Sequence, residues 1–274
     1  MPHSAKNTLA ARGLRPHKRL GQNFLTDPNI LAKIVESAGI TSTDSVLEIG
    51  PGLGHLTRAL AQRAGQVIAV ELDVKLAENL TRELAPAGVG NVRVIQGDIL
   101  KQDVAELFSG PYKVVANIPY YITSNVIRHL LAARARPAVI VLTVQKEVAQ
   151  RMTAEPPHMS LLAVSVQFFA VAKIGGLIPA GAFYPRPQVD SAWVILEPYV
   201  ESPYPVEDIE AFFRVVRAGF SAPRKQLKNT LASGLGLTAA RAGSLLRDAN
   251  ILPARRAETV SLDEWVNLAR VASN

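Results

Sequence analysis

Short apolar runs alternate with helical periodicity along the first two thirds of the chain. Val46-Leu47-Glu48-Ile49, Val67-Ile68-Ala69-Val70, Val92-Arg93-Val94-Ile95, Val114-Val115-Ala116 and Ala138 to Val144 read as strands. Between them the spacing changes to that of helices. Pro28 to Gly39 places Ile30, Ile34 and Val35 on one face, and the stretch after Gly54 does the same with Leu56, Leu60 and Ala61. Asp73 to Ala85, with Asp73 as N-cap, and Thr123 to Ala135 complete the set. Strand followed by helix, repeated, predicts an α/β doubly wound sheet of the Rossmann type. Gln145 to Ala154 and Leu161 to Phe169 read as further helices, and strands at Ala172 to Ile178 and Ser191 to Leu196 predict a closing hairpin. Pro198 to Pro205 holds three prolines and reads as a linker. Beyond it the pattern is helical only: Asp208 to Gly219, Arg224 to Ser233, Ala239 to Asp248 and Leu262 to Ala272, the last opened by a Ser261/Glu264 capping box. The predicted organisation is a flexible basic arm at 1–20, an α/β domain at 21–200 and a small all-helical C-terminal domain at 206–274.

The strand ends carry the candidate chemistry. The first strand runs into Gly50-Pro51-Gly52-Leu53-Gly54, a loop that lets a ligand approach bare backbone. The second ends on Glu71, about 20 residues past that loop, where a carboxylate accepts from ribose hydroxyls. The third ends at Gly97-Asp98, placed to accept from an adenine amino group, and the fourth at Asn117. Taken singly, Glu71 reads equally as a helix-capping acid and Asp98 as a turn former. Together they mark the edge at which open α/β sheets bind ligands. Two cofactor classes compete for the loop. A dinucleotide site expects G-x-G-x-x-G, but here the third glycine comes one position early and His55 stands where glycine is wanted. E-x-G-x-G-x-G is instead the pattern of S-adenosylmethionine methyltransferases, which predicts a Rossmann-like class I methyltransferase sheet.

Asn117-Ile118-Pro119-Tyr120 follows the fourth strand. The tetrapeptide alone also suits a strand-ending turn. Beside a methyl-donor site it suits a flipped base methylated on its exocyclic amine. The Asn117 oxygen accepts from an NH2 group, Pro119 fixes the backbone without an N–H of its own, and Tyr120 offers a stacking face.

Gly21-Gln22-Asn23-Phe24-Leu25, Glu48 to Thr57, Gly97-Asp98, Asn117 to Ile122, Val144 to Met152 and Phe183 to Ser191 together resemble the KsgA-type ribosomal RNA adenine dimethyltransferases. The resemblance runs from about residue 17 to about 235. It implies transfer of methyl groups from S-adenosyl-L-methionine to the N6 atoms of two adjacent adenines near the 3′ end of small-subunit (16S) rRNA. It implies cofactor contacts at Asn23, Leu25, Gly50, Glu71, Asp98 and Asn117, and an adenine clamp from Asn117, Tyr120 and Phe183. Phe220 to Leu231, a basic segment that relatives acting on large-subunit rRNA usually lack, favours the small-subunit enzyme. Ala222-Pro223 departs from the more basic residues usual before Arg224-Lys225.

Composition narrows the picture further. The chain has 274 residues, is 48% hydrophobic and contains no cysteine. Disulfides, thiolate metal sites and a cysteine nucleophile are thereby excluded, and no metal is expected. The longest apolar stretch, Leu161 to Ala172, is too short to span a bilayer. The net charge of +7 is unevenly spread: residues 41–110 hold 9 acidic and 6 basic residues, whereas 111–200 hold 4 and 8. The acidic stretch is the one assigned to the cofactor, and a polyanion would meet the basic stretches. Small-subunit rRNA or an assembling 30S particle is the expected partner, with no membrane, and a cytoplasmic monomer is the expected form. Other readings are a binding module that keeps the fold without turnover, and a nicotinamide oxidoreductase.

Overall fold

The computed structural model describes residues 2–17 and 21–273. The elements, in chain order, are α1 (Pro2–Ala11), β1 (Phe24–Leu25), α2 (Pro28–Ser37), β2 (Ser45–Ile49), α3 (His55–Ala61), β3 (Gln66–Glu71), α4 (Val74–Leu84), β4 (Val92–Gln96), β5 (Tyr112–Asn117), α5 (Thr123–Ala132), β6 (Val139–Gln145), α6 (Lys146–Met152), α7 (Leu161–Gln167), β7 (Ala170–Ile178), β8 (Phe183–Tyr184), β9 (Ser191–Pro198), α8 (Ile209–Gly219), α9 (Leu227–Leu235), α10 (Ala239–Asp248) and α11 (Leu262–Ser273). They divide into two compact units, one of residues up to 149 with 172–198, the other of 150–171 with 199–274.

The first unit is built on a seven-stranded sheet in the order β4-β3-β2-β5-β6-β9-β7. β4, β3, β2, β5 and β6 are parallel, and β9 returns antiparallel to β6. The central strands are covered on both faces, so their apolar runs are nearly continuous: Val46, Leu47, Val67, Ile68, Val114, Val115 and Ile140 to Leu142 are all buried. Asp27 caps α2 by accepting from the Asn29 and Ile30 N–H groups, and Asp73 caps α4 by accepting from those of Lys75 and Leu76. α4 buries Leu76, Ala77, Leu80 and Leu84, the stripe its spacing predicts.

The N-terminal segment departs from a flexible arm. Residues 2–11 form α1, which buries Ala5 and Leu9 against Phe24, Leu53 and Leu76. Arg12 adds an ion pair with Glu83 at 2.6 Å, and Glu83 is shared with Arg58 at 2.7 Å. The apolar face of the segment is short, and its basic residues mask that face in a charge-based reading. Of the expected arm, Met1 and residues 18–20 lie outside the described residues.

In the second unit α7 packs with α8 to α11. Phe168 stacks on Phe212 with ring centroids 4.5 Å apart, and Trp265 is fully buried in the same cluster. Residues 150–171 join this unit, although they precede the proline-rich segment, because Met159, Ala163, Val164 and Phe168 bury their side chains in this cluster. A single cut near residue 200 therefore does not describe the chain. The capping box of α11 forms as its residues require: Ser261 N–H donates to Glu264 at 2.7 Å and Glu264 N–H to the Ser261 hydroxyl at 3.2 Å. α9 begins at Leu227 rather than at Arg224, so Arg224 and Lys225 lie in an exposed turn ahead of the helix.

One carboxyl stands inside the sheet core. Glu48 on β2 is 1% exposed and neither of its oxygens has a hydrogen-bond partner of good geometry. Burial pushes it up to about 8, with neighbouring Glu71 adding to the shift and Thr57 and Arg58 opposing it. Such an acid keeps its proton in the folded protein above its ordinary 4.5, while the unfolded chain has already released its own. The stability of the unliganded protein therefore falls as pH rises across that window, and levels off above about 8. Glu48→Gln is expected to flatten the decline of Tm between about pH 5 and 8 relative to wild type. Thermal melts across that range check this, and an unchanged slope would show that Glu48 is not the titrating group.

Candidate active site

A cavity of about 260 Å³ opens where the parallel strands end. Its walls include Glu48 to Leu53 at the end of β2, Val70 to Leu72 at the end of β3, Gly97 to Leu100 after β4, and Asn117 to Ile122 at the end of β5. Residues 21–25 form a further wall. The strand ends align because the ladder continues past them: Gly50 N–H donates to the Val70 carbonyl at 2.9 Å and Gly97 N–H to that of Glu71 at 2.8 Å.

The glycine loop is shaped by backbone that side chains would obstruct. Gly52 and Gly54 both have positive φ, and a Cβ would lie 2.9 Å from the Phe24 ring at Gly52 and 2.4 Å from Leu80 at Gly54. Glu71 closes the loop from the next strand. Its two oxygens accept the Gly52 N–H at 3.0 Å and the Asp73 N–H at 2.9 Å. Burial raises its pKa and these backbone donors oppose the rise. Each oxygen keeps a lone pair for hydroxyl donors. Asp98 caps the short turn Ile99–Lys101 by accepting from Leu100 N–H at 3.0 Å, and lines the same wall. His55 is a brace rather than an acid or base. Its Nδ1 lies 3.2 Å from the Leu25 carbonyl, and burial lowers its pKa. Among the described residues no cluster of His, Cys, Asp and Glu is suited to a metal ion.

Asn117 is held on both sides of its carboxamide. Nδ2 donates to the Asn23 carbonyl at 3.1 Å, and Oδ1 accepts from the Thr143 hydroxyl. Pro119 precedes a single 3-10 turn, Tyr120–Ile122, and its carbonyl accepts from Ile122 N–H at 3.2 Å. Tyr120 is half-buried, its hydroxyl 2.7 Å from that of Ser191, and burial raises its pKa. Tyr121 stands 60% exposed at the cavity wall.

The structure thus gathers Asn23, Leu25, Gly50, Glu71, Asp98, Asn117, Pro119 and Tyr120 around one hollow. Phe183 is not among them. It lies on β8, paired antiparallel with Leu25 of β1, and is 2% exposed in a core with Leu25, Ile178 and Trp193. The two-stranded pairing turns its ring into that core, so the structure does not bring Phe183 to the cavity wall with the other residues of the expected clamp. Glu48, Tyr121 and Thr143 escaped the sequence reading as separate site residues. A carboxylate in an apolar strand and a second tyrosine were visible signals. Thr143 required knowledge of which residue it faces across the sheet.

The residues present fit S-adenosylmethionine. Its ribose hydroxyls suit the lone pairs of Glu71, its adenine amino group suits Asp98, and its cationic amino-acid portion suits a cavity with a buried, unpartnered carboxyl at Glu48. Comparison with known proteins gives the family. The family model described as ribosomal RNA adenine dimethylase matches residues 13–273. The ribosomal RNA small subunit methyltransferase A of Dehalococcoides mccartyi is 47% identical over 97% of this chain and 92% of its own length. The protein of the same name from Enterococcus faecalis is 40% identical over 98% and 94%. Among solved structures, a dimethyladenosine transferase from Plasmodium falciparum superposes with a TM-score of 0.77 at 27% identity, covering 89% of this chain and 95% of its own. The 23S rRNA methyltransferase ErmE gives 0.72 at 28%, covering 92% and 100%. The chain belongs to the ribosomal RNA adenine dimethylase family and is an rRNA adenine dimethyltransferase.

Proposed function

We propose that the protein dimethylates N6 of two adjacent adenines near the 3′ end of small-subunit rRNA, using S-adenosylmethionine, as a monomer acting on the rRNA or on an assembling 30S particle. The observation that carries this reading is the shared hollow. Carboxylates suited to a cationic nucleoside line one side of it, and the Asn117 carboxamide stands at the next strand end. The names of the relatives point to the small subunit, and the basic segment from Phe220 to Leu231 supports the same choice.

The cosubstrate supplies an electrophilic methyl group on a sulfonium centre. Glu71, Asp98 and Glu48, with the backbone of Gly50 to Gly54, would hold it. The adenine N6 lone pair is delocalised into the ring, so the protein's task is to make that nitrogen nucleophilic and to aim it. Asn117 Oδ1 accepts one N–H of the amine, and the backbone carbonyl of Ile118 or Pro119 accepts the other. Both contacts favour a tetrahedral nitrogen and stabilise the positive charge that develops on it. Tyr120 stacks on the everted base, which recovers part of the cost of taking it out of its helix. A strong general base is not required, because the alkylated nitrogen becomes acidic. Most of the acceleration therefore comes from alignment.

Asn117→Ala is expected to lower methyl transfer to under-methylated 30S particles by roughly 100-fold or more while leaving cofactor affinity within a small factor. Radiolabel incorporation and calorimetry check the two halves, and undiminished transfer would remove Asn117 from the mechanism. Tyr120→Ala is expected to slow transfer roughly tenfold or more through lost stacking. Phe183→Ala, by contrast, is expected to destabilise the fold by about 3–5 kcal/mol. Denaturant unfolding of the two variants separates a wall residue from a buried support. Mass spectrometric mapping of the methylated nucleotides tests the substrate itself, and marks found only on large-subunit rRNA would overturn the proposal.

A further inference from the structure

β6 reads Val-Ile-Val-Leu-Thr-Val-Gln, and Thr143 is the one polar residue before the closing Gln145. It is fully buried. A hydroxyl at such a position costs stability unless it is bonded, and valine would fill the same space without that cost. The parallel register of β5 and β6 makes Thr143 the direct partner of Asn117. Its Oγ donates to Asn117 Oδ1, while the Asn23 carbonyl accepts from Asn117 Nδ2 at 3.1 Å. A carboxamide flipped by half a turn would set its oxygen against the Asn23 carbonyl, acceptor against acceptor. The two contacts therefore select one orientation. Oδ1 has two lone pairs in the amide plane; Thr143 occupies one, and this fixes the direction of the other.

We propose that Thr143 is a positioning residue for methyl transfer: its hydroxyl locks the Asn117 carboxamide so that the second lone pair of Oδ1 faces the incoming exocyclic amine. This rests on the reading of Asn117 as the acceptor of that amine. Thr143 is not part of the cavity wall. It acts through the angle at which Asn117 presents its oxygen, so its loss is felt in turnover rather than in binding.

The test compares Thr143→Val, Thr143→Ser and Asn117→Ala in single-turnover methyl transfer to under-methylated 30S particles at saturating S-adenosylmethionine. Cofactor affinity by calorimetry and Tm accompany each. Thr143→Val, which keeps the shape and removes the hydroxyl, is expected to lower the rate roughly tenfold, the worth of one orienting hydrogen bond, with cofactor affinity and the KM for particles within about twofold. Thr143→Ser restores the donor and is expected to recover most of the rate. An inactive Asn117→Ala beside a fully active Thr143→Val would overturn the role of Thr143 and leave that of Asn117 standing. Full activity in Asn117→Ala would overturn both. A slow Thr143→Val that serine does not rescue, or that loses cofactor affinity in step with rate, would show a packing role instead and equally overturn the inference.

Discussion

The parallel register of the central strands is the constraint on which the rest depends. Ile49 lies opposite both Val70 and Ala116, Glu71 opposite Gln96, and Asn117 opposite Thr143. Because the strands run the same way, their last residues fall on one edge, and each delivers a different group there: bare backbone at Gly50, a carboxylate at Glu71, a capping acid at Asp98, a carboxamide at Asn117. A slip of one residue in any strand would turn its side chains to the other face and dismantle the set. The ladder bonds that run beyond the strand ends, from Gly50 to Val70 and from Gly97 to Glu71, hold the loops to the same alignment.

That edge is also stiffened from the N-terminal side. α1 sits on Phe24, Leu53 and Leu76, and all three residues also line the cavity. Arg58 donates to the carbonyls of Leu53 at 3.1 Å and Gly54 at 2.9 Å while pairing with Glu83, which Arg12 also grips. These pairs are partly exposed, so their worth lies less in net stability than in fixing the loop's shape. A chain of local contacts thus links the first helix to the backbone that a cofactor would meet.

Much of this was legible in the sequence, and the reasons are specific. Strands buried on both faces announce themselves as Val/Ile runs, and their ends can be counted to the residue. Hence Gly50, Glu71, Asp98 and Asn117 were all readable as lips of one sheet. Caps at Asp73 and Ser261 follow from local chemistry alone. What failed depended on information across the chain. Phe183 sits in a motif that implies a clamp, and the direction of its ring is set by a two-residue pairing with β1, which no local pattern reports. The N-terminal helix was hidden because its apolar face consists of little more than Ala5 and Leu9. Residues 150–171 pack with α8 to α11 through side chains whose partners lie 40 or more residues further on. The bond between Thr143 and Asn117 is invisible until the β5–β6 register is known.

On the reading of Asn117 as the acceptor of the target amine, a carboxamide serves at that position better than a third acid would. Glu48 is already pushed up to about 8 by burial, and Glu71 is raised as well despite two backbone donors. A carboxylate at position 117 would share the cavity wall with both acids, and their repulsion would favour its protonated form. A protonated carboxyl donates where the chemistry needs an acceptor. The Asn117 oxygen is neutral and accepts at any pH, and its weaker attraction is offset by the fixed direction that Thr143 and Asn23 impose. The two sides of the cavity therefore divide the work. On that reading, titratable acids stand where a permanent cation would keep them charged, and an uncharged acceptor stands where positive charge would exist only during methyl transfer.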